Sequence, residues 1–386
     1  MENLRNAELP NLVEMLQKQH DLRYDAVISS NNMRFQGGKL SITGGATRIT
    51  DTGVAFDNAI LDPTPIFDEG AASRFNIPMK YMNILRNRVA TDIEQGDPKY
   101  VPTIYDENLN YWLDADPSRT HLVRAFRTDD PDEVGIARAL LSDKYKTIDN
   151  YDVLLATLDG VKEAGVEINI DGVDLSDKRM SLRLVCPTVA EYAPDILQRY
   201  RDPESGNSGK DNPIIYAGLV IKNSETGNGA FNIVPRLVVQ VCSNGLQMTQ
   251  DAMRAVHLGG KLDEGIVRWS NDTQRRELEL ITSKTKDAVS SFLDVNYMKV
   301  KLQELRALAD IDVPNPVKVI DRVAKKVHWW EKEKENILSH FIKGSDQSAL
   351  GVAQAVTSVA QRVKNVDRQD ELETSALTAA SFVATV

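Results

Sequence analysis

The residues of this chain best suited to chemistry sit in and just after one stretch, GLVIKNSETGNGAFNIVPRLVVQVCSNGLQM at 218–248. It reads as two strands joined by a Ser/Glu/Thr/Gly/Asn turn, with a Cys-Ser-Asn-Gly corner leading into a helix. Alternate residues of a strand share a face, so Asn232, Arg236 and Gln240 form a polar stripe with Val234 and Val238 between them. Lys222 stands on the partner strand, and Arg254 and Lys261 follow in the next segment. Cations beside neutral amides match the groups that hold a phosphate backbone. A solvated hairpin face accounts for the same pattern, because exposed sheet faces are polar. The expectation is a nucleic-acid groove built by the hairpin at 214–242 and the helix after it. Lys222, Arg236, Arg254 and Lys261 would contact phosphates, with Asn232 and Gln240 as neutral donors. Phe231 or Trp269 would offer a ring for base stacking.

Other chemistry is thinly supplied. The five histidines are dispersed and Cys186 and Cys242 are far apart, so no zinc spacing exists. Cys242 with His257 is the candidate thiolate–imidazolium pair of a hydrolase, although a cysteine ending an apolar strand is ordinarily a small buried hydrophobe. Gly206-Asn-Ser-Gly209-Lys210 has the wrong spacing for a phosphate loop, and Gly227-Asn228-Gly229 sits between strands instead of before a helix. Asp129, Asp130, Asp132 and Glu133, and again Asp171, Asp174 and Asp177, offer oxygen ligands. Neither group has calcium-loop spacing, and aspartates favour turns. The expectation is no catalytic residue, no metal and no cofactor.

Charge sets a tension with the groove. The chain holds 46 basic and 56 acidic residues, a net charge of −10. All the excess lies in residues 1–210, with 24 basic against 34 acidic; the remainder is balanced at 22 each. Nucleic-acid binders usually show a basic footprint. The length of 386 residues suggests two or three domains, and 42% hydrophobic with 26% charged residues is ordinary globular composition. Two cysteines exclude a disulfide scaffold. The N-terminal MENLRNAELPNLVEML has charges where a signal peptide has its apolar core, and no apolar run approaches a membrane span. A cytoplasmic protein without a membrane partner follows as an expectation.

The elements that would position these residues read as α+β: a mixed N-terminal region at 1–120, a central antiparallel sheet at 121–260 and a helical part at 261–386. Met33–Phe35 and Leu40–Ile42 around Gly37-Gly38 predict a hairpin. Pro78 predicts a helix start, and Asn150–Ala164 predicts a helix ended by Gly165. Val166–Ile170, Met180–Cys186, Ile214–Asn223 and Ala230–Cys242 alternate as strands of a half-buried sheet. Asn315-Pro316 reads as a cap and first-turn proline, with Val317, Ile320, Val323 and Val327 as the apolar stripe beyond it. Two tryptophans follow, Trp329 and Trp330, and adjacent residues cannot share one stripe. Residues 349–363 are apolar on more than one side, which predicts burial against another helix or a second subunit. A homo-oligomer with its interface in 315–386 is the expectation.

The chain resembles the phage- and plasmid-like family catalogued as domain of unknown function 932, in the form common in phages of actinobacteria. The resemblance is carried by Tyr105-Asp-Glu-Asn-Leu-Asn-Tyr-Trp112-Leu and Ala139-Leu-Leu-Ser-Asp-Lys-Tyr145-Lys-Thr-Ile-Asp149-Asn150. Asn223-Ser-Glu225, Gly229-Ala-Phe, Val241-Cys242-Ser-Asn244-Gly245, Val267-Arg-Trp269 and Gln354-Ala-Val-Thr-Ser-Val-Ala-Gln361 extend it over nearly the whole chain. It implies a phage or plasmid origin, the host cytoplasm as location, and no settled activity. A distant likeness to single-strand-annealing recombinases is a fold-level analogy. The combined expectation is a non-enzymatic protein that binds single-stranded DNA, in recombination or annealing. The alternatives are a host-interaction or assembly protein using the hairpin edge and C-terminal helices, and a hydrolase at Cys242/His257.

Overall fold

The computed structural model describes residues 3–43, 47–50, 53–56, 58–94, 102–127, 133–240, 245–255 and 271–383. The first half runs β1 (Leu4–Ala7), α1 (Leu9–Asp21), β2 (Arg23–Ser29), β3 (Met33–Gln36), β4 (Lys39–Ile42), β5 (Thr47–Thr50), β6 (Gly53–Phe56) and β7 (Ala59–Pro63). Then come α2 (Pro65–Phe75), α3 (Met79–Glu94), α4 (Ile104–Ala115), β8 (Thr120–Phe126) and β9 (Gly135–Ser142). Among the described residues, strands β2 to β9 form one sheet in the order β3-β4-β7-β9-β8-β2-β5-β6, antiparallel except for the parallel pair β7–β9. The expected β3–β4 hairpin is present, with Gly37 and Gly38 both at positive φ in its two-residue turn. Thr103 and Asp106 form a capping box at the start of α4. Tyr105 from α4 then meets Phe35 edge-on in the core beneath the sheet.

The second half continues with α5 (Asn150–Ala164), β10 (Asn169–Leu175), β11 (Met180–Tyr192), α6 (Pro194–Leu197), β12 (Ile214–Asn223), β13 (Phe231–Val239), β14 (Gly245–Gln247) and β15 (Met253–Ala255). Six helices follow: α7 (Asn271–Phe292), α8 (Val295–Ala309), α9 (Pro316–Val327), α10 (Glu331–Lys343), α11 (Ala349–Ala360) and α12 (Val366–Val383). The second sheet is antiparallel, in the order β1-β10-β11-β12-β13-β14 with β15 also beside β13. The architecture is α+β with a helical C-terminal part, as the sequence predicts. Gly165 closes α5 in the left-handed conformation, and Asn315 caps α9 with Pro316 behind it. No helix among the described residues is long and apolar enough to cross a membrane.

Three expectations change. Strands β8 and β9 belong to the N-terminal sheet, because β8 pairs with β2 along its whole length from Arg23–Phe126 to Ser29–Thr120. The Gly245 corner leads into strand β14, which pairs with β13, instead of a helix. The central sheet is not half-buried. Its apolar face, with Leu182, Leu219, Ile233 and Leu237, packs into the main core. Its polar face, with Ser181, Arg183, Lys222, Arg236 and Gln247, is buried as well. Helix α11 is buried at every one of its twelve residues, against α8, α10, α12 and β14 of the same chain. Its several apolar faces are therefore satisfied without a second subunit.

Candidate functional site

The hairpin cations are already engaged. Lys222 is 9% exposed and Arg236 3%. Lys222 Nζ pairs with Asp370 and donates to Gln247 Oε1 at 2.9 Å and Thr374 Oγ1 at 3.2 Å. Arg236 Nη1 lies 2.8 Å from Asp171, and a Cβ on Gly245 would stand 2.2 Å from Arg236 Nε. Arg183 on the same face pairs with Asp174. Glu373 of α12 accepts from Gln247, Gln361 and Gln369. Burial pushes the Asp370 carboxyl up, but Lys222 and Arg179 more than offset this and hold it below the usual carboxylate range. The expected phosphate contacts Lys222 and Arg236 are thus corrected to internal ion pairs, because helix α12 and strand β10 bring carboxylates onto their face. Phe231, 1% exposed, is core and not a stacking ring. Asn232 donates to its neighbour Ala230 O at 2.9 Å, and Gln240 is exposed just past β13. Arg254 stands opposite Asn232 in the β13–β15 pairing. Lys261, Cys242, His257 and Trp269 lie outside the described residues.

A second buried cluster joins the hairpin turn to the N-terminal sheet. Arg124, fully buried on β8, makes two 3.0 Å bonds to Asp25, pairs with Asp149 and donates to Glu225 O at 3.1 Å. Asp149 also binds Arg23, and Arg138 binds the Glu225 carboxylate. Glu225 Oε1 accepts from Asn150 N at 2.6 Å, and Asn223 donates to Asn150 Oδ1 at 2.9 Å. Burial raises the Asp149 pKa, but Arg124 and Arg23 outweigh it and hold the carboxyl well below its ordinary value. Three guanidiniums face three carboxylates, so the cluster is neutral overall and does not attract an anion. It fastens one sheet to the other.

The nearest thing to a catalytic pair is equally internal. Ser30 Oγ lies 3.0 Å from His121 Nε2, with both residues buried. Arg74 Nε donates to His121 Nδ1, so the ring proton sits on Nε2 and points at the serine. Ser30 in turn donates to Arg119 O at 3.2 Å. Nucleophile activation needs the histidine to accept the serine proton, the reverse of this arrangement. Burial and the nearby Arg74 and Arg119 push the His121 pKa down to about 3. No group of metal-ligating side chains occurs among the described residues, and Asp171 and Asp174 serve as counterions to Arg236 and Arg183.

A row of exposed cations, three of the four without an ion pair to a described residue, is found on α9. Lys318, Arg322, Lys325 and Lys326 recur at i, i+4, i+7 and i+8, which places them within about 100° of arc on one helix face. All four are exposed, while Ile320, Val323 and Ala324 on the opposite side are buried. Only Lys325 is ion-paired to a described residue, with Asp321 at 2.8 Å. The row spans roughly 12 Å along the axis. Just past its C-terminal end Trp329 is 8% exposed and Trp330 63%; the two rings diverge as expected, but in the link between α9 and α10, after His328 in the left-handed conformation, and not on a helix. The signal for this face was present in the sequence, since the cations repeat with the period of the apolar stripe. Attention to that stripe alone passes over them.

A family model described as domain of unknown function (DUF932) matches residues 139–381. No curated protein and no solved structure matches the chain.

Proposed function

The chain belongs to the DUF932 family, and from that premise we propose that it is a nucleic-acid-binding protein, not an enzyme, holding the phosphate backbone on the cationic face of α9. The observation that carries this is the row Lys318, Arg322, Lys325 and Lys326, exposed on a helix whose other side is anchored in the core. Phosphate contacts of this kind are sequence-independent and drive binding by counterion release. The row sits in the charge-balanced half of the chain, away from the acidic first 210 residues. A backbone-holding surface suits strand annealing or recombination in the cytoplasm of a phage host, the setting the family resemblance implies.

The test is binding of a single strand of about 40 nucleotides at about 50 mM salt, where phosphate contacts are strongest. Wild type is expected to bind, with a salt slope near −3 for four contacts to a single strand. Lys318→Gln/Arg322→Gln/Lys325→Gln/Lys326→Gln is expected to lose binding while keeping its melting temperature. Equal affinity of the two proteins would contradict the assignment. A second reading, contact between copies of the chain, is favoured by the exposure of Val317, Trp330 and Ile342 along α9 and α10. A native mass of 43.0 kDa at micromolar concentration would exclude it.

A further inference from the structure

We propose that Trp330 makes this surface select single strands over duplex, by stacking an unpaired base on its indole. The inference rests on the reading of α9 as a phosphate-binding face. Large aromatic rings usually bury most of their surface, yet Trp330 is 63% exposed. It is nonetheless held in place. Its backbone N–H donates to Glu333 Oε2 at 2.8 Å, capping α10. The Arg368 guanidinium lies 4.5 Å from the ring centroid and covers one face. Arg368 is itself clamped by Glu333 at 2.7 and 2.6 Å, by Glu371 at 2.7 Å and by the His328 carbonyl at 3.1 Å. A ring fixed on one side and open on the other loses little freedom when a base arrives.

The ring is also placed beside the cations. Trp330 opens α10, and Lys334 one turn on binds Asp321 at 3.1 Å, the carboxylate that Lys325 binds at 2.8 Å. The first turn of α10 is therefore stitched to the edge of the cationic row. Only three residues lie between Lys326 and Trp330, so they are at most about 14 Å apart along the chain. Tyr111 and Trp112 on α4 and Tyr192 at the end of β11 are exposed too, but none of them adjoins the α9 row in the chain. In a duplex both faces of each base are occupied by neighbours, so a stacking platform serves only an unpaired base.

The experiment compares wild type, Trp330→Ala, Trp330→Phe and the control Trp112→Ala on three probes: a mixed-sequence single strand, the matching duplex and inorganic polyphosphate. Stacking of one base predicts a roughly 5- to 150-fold loss for Trp330→Ala on the single strand alone. Trp330→Phe should recover most of that loss, and Trp112→Ala should match wild type. The salt slope should stay that of wild type throughout, because no phosphate contact is removed. Equal loss on strand and duplex, or no loss on the strand, overturns the selection proposal and leaves the phosphate face standing. Absence of binding to all three probes by wild type overturns both.

Discussion

The cations of the central sheet and those of α9 are the same side chains with opposite fates. Lys222, Arg183 and Arg236 lie on strands whose outer face is closed by other parts of the chain, and each meets a carboxylate there. Lys318, Arg322 and Lys326 lie on the exposed face of a helix that is buried on its other side, and they meet no carboxylate among the described residues. A basic residue in a sequence therefore states a charge but not its availability. Availability depends on whether another element covers the face, and a strand in mid-sheet has two faces to cover where a surface helix has one.

The largest effect that would break this contrast is at Arg124. Replacing it by Met leaves Asp25 and Asp149 without their shared partner, and breaking a buried cluster in this way costs about 3–5 kcal/mol. Chemical denaturation should show that loss, whereas neutralising the α9 row should stay within about 0.5 kcal/mol of wild type. An Arg124→Met protein as stable as wild type would show the sheet cations to be less committed than their contacts indicate.

A smaller effect comes from pH. His121 titrates near 6.5 in the unfolded chain and at about 3 in the fold. Between those values the unfolded state binds more protons, so stability falls as pH drops through the window, by at most about 1.4 kcal/mol per unit. The paired carboxylates, held low, add their own loss only below the ordinary carboxylate range. Urea midpoints measured from pH 6.5 to 4.5 should therefore decline in wild type and decline less steeply in His121→Gln, where His340, also held low by burial and Arg362, still contributes. An unchanged slope in the variant would place the titration elsewhere.

Local elements were legible from local chemistry. Gly37-Gly38, Gly165 and Asn315-Pro316 each dictate backbone geometry within a few residues, and the hairpin, the end of α5 and the start of α9 stand where they predict. The polar face of β12 and β13 was equally legible as a pattern, but its meaning depended on Asp370 and Asp171, which are far in the chain from their partners Lys222 and Arg236. Alternation reports that a face is polar. It does not report that α12 will deliver the counterions. Likewise the fastening of Arg124 to Asp25, Asp149 and Glu225 joins residues up to 101 positions apart, which no local spacing reveals.

Quantitative lysine acetylation with and without a single-stranded oligonucleotide tests the central claim most directly. Lys222 should resist modification in the native protein under both conditions. Lys318, Lys325 and Lys326 should react readily alone and become protected when the strand is present. Ready reaction of Lys222 together with its protection by the strand, and no protection on α9, would contradict the account and return the binding surface to the hairpin.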